Sequence, residues 1–233
     1  MPERDPAKPP DTPESMQSTS TDEDNLRAKR KPAPPKTWLH YPARWCILPL
    51  IRTQITPNHI TTLRLLTAIL AGAAFCVGTP LWDAIGGAIF LFSAIMDRAD
   101  GELARLAGRT TPGGHLYDLR CDAAANSLVF VCIGVGLRHG PAGFWSIGMG
   151  IIAGCAITII MWIVARLEGL PQKQTPVFPV RLGFDTDDTL VLIGPIAWLG
   201  WLWPFLVLTT IGAPLFALGL AIRYWRILFV RHE

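Results

Sequence analysis

Between Asp97 and Asp122 the chain sets four aspartates and an arginine at fixed intervals, beside apolar stretches long enough to cross a bilayer. Asp97 and Asp100, three residues apart, share a helix face with Gly101 and Ala104, while Gly114, Asp118 and Asp122 repeat every four residues along a second face. The segment from Arg109 to Gly114, with Pro112 and two glycines, is turn chemistry between two helices. Two helices would then present two carboxylates each to a shared cleft. A carboxylate at the bilayer centre costs roughly 2.5 to 3.5 kcal/mol, and like charges gathered near an interface repel unless a cation sits among them. A divalent ion is the simplest compensation. With no His or Cys on those faces, the hard oxygen set favours Mg²⁺ or Mn²⁺ over zinc, and two ions are plausible.

The residues around the aspartates fit a phosphate-bearing substrate. Gly101, Ala104 and Gly114 are small and let a bulky ligand or a facing helix approach the backbone. Arg105, five residues beyond Asp100, offers a planar fork that can hold phosphate near the membrane interface. Carboxylates, a metal and an arginine beside lipid describe a site for phosphoryl transfer.

The run Asp97, Asp100, Gly101, Ala104, Arg105, Gly114, Asp118 and Asp122 resembles, position for position, the signature of the CDP-alcohol phosphatidyltransferase family of integral membrane enzymes. A second feature of that family, Pro-Asn, two residues, Thr, two residues, Arg, is matched by Pro57, Asn58, Thr61 and Arg64. The specific resemblance covers about residues 57–126. It implies that Asp97, Asp100 and Asp118 bind divalent metal, and that Asp122 both supports the metal site and acts as the base that takes the acceptor hydroxyl's proton. It also implies that Arg105 holds the donor's phosphates, that Gly101, Ala104 and Gly114 leave room for the nucleotide, and that Asn58 and Thr61 contribute to nucleotide or phosphate binding.

Half of the 233 residues are hydrophobic, 17% are charged, and nine are tryptophan, a composition suited to interfacial anchoring rather than to an ordinary soluble core. The fold class expected is all-α: a polytopic membrane bundle of about six transmembrane helices, near residues 61–78, 81–104, 118–137, 142–166, 189–202 and 205–223. The fifth is short, and its boundary with the sixth near Trp203 and Pro204 is not fixed by hydropathy. Lys and Arg concentrate in the segment before Thr61, in the loop after Arg105, in the loop of residues 168–188 and at the C-terminus, whereas the opposite loops hold only Arg138. By the positive-inside rule both termini and the aspartate cleft face the cytoplasm.

Residues 1–36 are rich in Pro, Ser, Thr and charge, with scarcely a large apolar side chain, and are expected to form a disordered cytoplasmic tail. No apolar h-region follows Met1, so a cleavable signal peptide is not expected and the first span would serve in targeting. In residues 37–56, Trp38, Tyr41, Trp45 and Leu48 fall at helical spacing with Arg44 and Arg52 nearby, an amphipathic interfacial helix weakened by Pro42 and Pro49. Residues 57–233 would then form the transmembrane catalytic domain. Five cysteines show no C-x-x-C pairing and read as small apolar fillers, Cys121 pointing away from the aspartate face. Glu102 and the turn residue His115 are expected to be solvated, and Asp83 to mark a helix boundary.

The resemblance implies transfer of a phosphatidyl group from a CDP-linked donor, foremost CDP-diacylglycerol, to an alcohol hydroxyl with release of CMP. The small size and six spans fit that branch. The alternative branch transfers a CDP-linked head group to diacylglycerol. A reading from a different class is a divalent-cation transporter, since intramembrane aspartates also mark ion paths. Against it, both aspartate pairs lie near one membrane face, beside an arginine suited to phosphate. Expected partners are the CDP-linked donor, the hydroxyl-bearing acceptor, membrane lipid and, from the resemblance, a second copy of the chain. No nucleic acid is expected. Gly148, Gly150 and Gly154 permit close helix contact, within the bundle or between copies.

Overall fold

Proline at a first helical position and glycine just past the last mark several of the element boundaries. The computed structural model describes residues 56–106, 112–168 and 190–225, so the expected tail of residues 1–36, residues 37–55 of the expected interfacial helix and the loops at 107–111 and 169–189 lie outside the described residues. The elements are α1 (Pro57–Val77), α2 (Pro80–Leu106), α3 (Pro112–Gly136), a 3-10 turn (Leu137–His139), α4 (Trp145–Glu168), α5 (Ile193–Trp198) and α6 (Leu202–Arg223). Every described element is helical. Five of the helices, all but α5, are long and apolar enough to cross a membrane.

Two boundaries differ from the sequence expectation for one reason. α1 begins at Pro57 rather than at Thr61, and α3 at Pro112 rather than at Asp118. A proline at the first helical position loses nothing, because its missing N–H would have had no intrahelical partner. Pro112 starts α3, as the helix-starting reading of this segment implied, and Gly113 and Gly114 fall in its first turn. Before α1, the Thr56 backbone N–H donates to His59 Nδ1 at 3.4 Å. After it, Gly78 takes a left-handed φ of 70° and its N–H donates to Phe75 O.

The expected fifth span is, in its described part, a turn followed by the six-residue α5, closed by Gly200 at φ 71°. Pro204 sits in the first turn of α6, where it needs no partner for its nitrogen. Pro214, further along, frees the carbonyl of Thr210. The Thr210 hydroxyl donates to Leu206 O at 2.7 Å and lies 3.2 Å from Met149 O, tying α6 to α4.

Helices α1, α2 and α3 run alternately, so the start of α1, the end of α2 and the start of α3 share one end of the bundle. At the other end α1 and α3 touch backbone to backbone. A Cβ on Gly136 would lie 2.1 Å from Phe75 O, and one on Gly78 would lie 2.2 Å from Gly136 O. The Arg138 guanidinium donates there to Cys76 O and Val135 O at 2.9 and 2.8 Å, capping the carbonyl ends of both helices. Gly136→Ala is therefore expected to lower stability by about 1–3 kcal/mol, from overpacking against a backbone that cannot yield. A thermal unfolding curve in detergent that matches wild type would contradict this contact.

Of the three glycines singled out in α4, Gly150 and Gly154 meet α3: a Cβ at Gly150 would lie 2.5 Å from Phe130 O, and one at Gly154 2.9 Å from Ser127 O. Gly148 faces open space. The small-residue pattern thus serves packing inside the bundle. The main core joins Phe75, Phe90, Val129, Phe130, Ile133, Ile193 and Leu206, with the Phe130 and Phe205 rings stacked at 5.8 Å. A second cluster, Ile160, Ile163, Ala213, Ala217 and Leu220, seals α4 against α6. Leu66, Leu70, Ile151, Trp162, Leu208, Leu215 and Ile222 point outward, the apolar faces that lipid covers in an integral membrane protein.

Candidate active site

Asp97 and Asp100 stand near the end of α2, and Asp118 and Asp122 in the second and third turns of α3. The alternation of the helices brings both pairs to one end of the bundle, as their spacing implied. Asp97, Asp100 and Asp118 each offer an oxygen that lies within 4.8 Å of the other two. Asp100 is 3% exposed, and the buried Oδ1 of Asp118 has no hydrogen-bond partner among the described residues. An acceptor oxygen stripped of water and left without a donor is costly, so this one suits a cation placed among the three carboxylates. Their all-oxygen chemistry fits Mg²⁺ or Mn²⁺.

Helix α1 supplies the supports. The buried Thr61 hydroxyl donates to Asp100 Oδ2 at 2.7 Å. Three residues on, along the same face, Arg64 is 5% exposed, lies with its Nη1 3.3 Å from Asp97 Oδ1, and forms an ion pair with Asp122. The Ser93 hydroxyl of α2 donates to Arg64 O at 3.0 Å, fixing the backbone from which that guanidinium extends. Arg98 pairs with the other oxygen of Asp97. At the rim the hydroxyls of Thr62 and Tyr117 lie 2.9 Å apart, joining α1 to α3.

Asp122, one helical turn beyond Asp118, is ion-paired with Arg64 of α1 beside the three oxygens that lie within 4.8 Å of one another. On that side a polar cavity is lined by Arg64, Ser93, Asp97, Arg98, Asp122 and Asn126. The buried Asn126 amide donates to Met161 Sδ at 3.4 Å, so the cavity wall continues onto α4.

The remaining candidates divide. Gly101 has nothing within 4 Å of where a Cβ would be, so it borders open space, and Gly114 is half-buried at the start of α3. Asn58 is exposed, its carbonyl accepting the Thr62 hydroxyl at 2.8 Å. His115 is exposed, as expected, but stands in the first turn of α3 rather than in a loop. Ala104 and Arg105 belong to the last turn of α2, and their side chains lie outside the described residues. In sequence Arg64 stands out only as part of a motif, and Ser93 and Arg98 not at all. The signal for Arg64 was its position three residues after Thr61, which puts both on one helix face.

Residues 54–225, a range that includes every described residue, match the family model for CDP-alcohol phosphatidyltransferase. The chain belongs to that family. It is 32% identical over 124 residues to a phosphatidylinositol phosphate synthase of Mycobacteroides abscessus, a match covering 51% of this chain and 53% of that one. It is 30% identical over 131 residues to a bifunctional IPC transferase and DIPP synthase of Rubrobacter xylanophilus, covering 54% of this chain and 28% of the relative. The match thus spans about half the length of one curated relative and less than a third of the other. The crystal structure of Mycobacterium tuberculosis phosphatidylinositol phosphate synthase with CDP-DAG bound has the same fold, with a TM-score of 0.54 at 20% identity over 82% of this chain and 92% of that one. A family of membrane transferases accords with the membrane-spanning helices and the carboxylate cluster of this chain.

Thr61 tests whether α1 serves the cluster. Thr61→Val keeps the shape and removes the hydrogen bond to Asp100, and Mn²⁺ affinity should fall about 10- to 100-fold, as when a group orienting a metal ligand is lost. An unchanged affinity in a paramagnetic resonance titration would contradict that orienting role.

Proposed function

We propose that this chain transfers a phosphatidyl group from a CDP-linked lipid, foremost CDP-diacylglycerol, to the hydroxyl of a small alcohol and releases CMP. The observation that carries the reading is the convergence of Asp97, Asp100 and Asp118 from two helices, with Asp122 held beside them at the wall of a polar cavity. The solved relative's bound CDP-DAG supports the donor, and the name of the M. abscessus relative makes an inositol phosphate the first acceptor to try.

Asp97, Asp100 and Asp118 would hold divalent metal, Mg²⁺ or Mn²⁺, with Asp122 supporting the metal site and two ions foreseen. Bound there, it would supply charge neutralisation for the pyrophosphate and for the leaving CMP. Gly101, Ala104 and Gly114 leave room for the nucleotide, Arg105 binds its phosphates, and Asn58 lies at the entrance on α1. The acceptor enters the cavity beside Asp122, which takes the proton of the attacking hydroxyl. The hydroxyl oxygen bonds to the phosphorus of the phosphatidyl group as the bond from that phosphorus to the CMP oxygen breaks. The surrounding apolar helices limit access of water, which would otherwise compete as acceptor.

Residues 57–233 form the catalytic domain in this reading, with the site and both termini facing the cytoplasm, where the nucleotide-linked donor is met, and two copies assembling as a dimer. Purified protein given Mg²⁺, labelled CDP-diacylglycerol and a panel of inositol phosphate, glycerol 3-phosphate, serine and inositol should release CMP with one of them. Absence of CMP release with every acceptor would overturn the proposal. Release only from a CDP-linked head group with diacylglycerol would reverse the direction of transfer.

A further inference from the structure

Asn126 lies one helical turn beyond Asp122 on the same face of α3, is 4% exposed, and lines the polar cavity. Because α2 and α3 run in opposite directions, Asn126 and Phe90 mark the inner end of that cavity, while Asp97, Arg98 and Asp122 mark the end nearer the carboxylate cluster. Met161 of α4 and Leu190 complete the inner wall. Asn126 therefore brings a polar group to an apolar floor.

The other polar side chains of the cavity have strong partners. Ser93 donates to Arg64 O, Arg64 pairs with Asp97 and Asp122, and Arg98 pairs with Asp97. Asn126 differs. Its Nδ2 donates to Met161 Sδ at 3.4 Å, a weak acceptor, while its second N–H and its Oδ1 have no partner among the described residues. A buried amide without strong partners is costly, and a ligand that supplies them removes that cost on binding.

Charge decides which ligand group belongs there. A phosphate, carboxylate or ammonium set against Phe90, Met161 and Leu190 would be buried away from a counter-charge. A hydroxyl is neutral, both donates and accepts, and so matches a carboxamide that does the same. Side chains on successive turns stand about 5–6 Å apart at Cβ, a span that two hydroxyls of one acceptor bridge when each makes its own hydrogen bond. Resting on the transferase reading above, we infer that Asn126 selects a polyol as acceptor by binding a second hydroxyl while the first attacks beside Asp122. Asn126 touches the substrate and takes no part in the proton transfer.

The test uses the full chain in detergent with Mg²⁺ and labelled CDP-diacylglycerol, and compares wild type with Asn126→Leu, Asn126→Ala and Met161→Leu. Acceptors are inositol phosphate, glycerol 3-phosphate and serine, together with analogues of the two polyols that lack one hydroxyl each. Asn126→Leu should raise the KM of the acceptor roughly 10- to 100-fold, the loss falling on KM rather than kcat, as for a hydroxyl-binding group removed from a buried site. Donor KM and Mn²⁺ affinity should stay close to wild type. One deoxy analogue should cost wild type a similar factor in kcat/KM and cost Asn126→Leu nothing further. Asn126→Ala should lose the same discrimination, whereas Met161→Leu, which removes the thioether at nearly constant volume, should keep it.

An acceptor KM unmoved in Asn126→Leu that still binds Mn²⁺ as wild type does, analogue penalties equal in wild type and variants, loss of discrimination in Met161→Leu, or turnover with serine alone would each overturn the inference. Failure of wild type to release CMP with any acceptor would instead remove the transferase reading. Calorimetric binding of inositol phosphate would then decide the hydroxyl site: weaker binding by Asn126→Leu than by wild type would uphold it, and equal or undetectable binding by both would overturn it as well.

Discussion

Asp122→Asn is expected to reduce CMP release by about 10²- to 10⁴-fold, the range lost with a positioned general base, while leaving divalent metal bound. The separation of the two effects follows from geometry. Asp122 is ion-paired with Arg64 beside the three oxygens that lie within 4.8 Å of one another. Asparagine keeps the shape and can still accept from the guanidinium, but it cannot take a proton from the acceptor hydroxyl. Isothermal titration with Mn²⁺ beside the CMP assay measures both quantities in one preparation. Loss of metal together with activity would place Asp122 among the ligands, and retained turnover would deny it the role of base.

Asp100→Asn should lose both. Its carboxylate is buried, oriented by Thr61, and shared with Asp97 and Asp118. Losing a charged ligand should cost several kcal/mol of transition-state stabilisation, so CMP release should fall by about three orders of magnitude or more, with Mn²⁺ affinity falling at least about 100-fold. Asp118→Asn should behave alike, because its unpartnered Oδ1 has no other described use. Asp97→Asn should differ in kind. That side chain pairs with both Arg64 and Arg98, so its removal takes one ion-pair partner from each, and the fold should lose about 1–3 kcal/mol in addition to the metal. A melting temperature for Asp97→Asn equal to that of Asp100→Asn would contradict the double ion pair.

The aspartates were legible in the sequence because a helix turns intervals of three and four into shared faces, and because acidic residues are conspicuous beside apolar runs. The membrane helices were legible from hydropathy, though not their ends at Pro57 and Pro112, where a proline can either stop or start a helix. The short α5 looks like part of a span in sequence because its apolar run continues almost unbroken toward α6, and hydropathy does not register the left-handed turn at Gly200. Least legible were the connections made by α1. The Thr61 hydroxyl meets Asp100, and Arg64, in sequence one letter of a motif, joins Asp97 to Asp122. Such pairings depend on which helices become neighbours, and no periodicity within one helix encodes that.

Diffraction from crystals grown with Mn²⁺, collected at the manganese absorption edge, tests the shared-ion site most directly. An anomalous peak between Asp97, Asp100 and Asp118, with carboxylate oxygens of α2 and α3 both in contact and Asp122 still on Arg64, is the expected result. A peak held by one helix alone, or none near these carboxylates in protein that releases CMP, would contradict it.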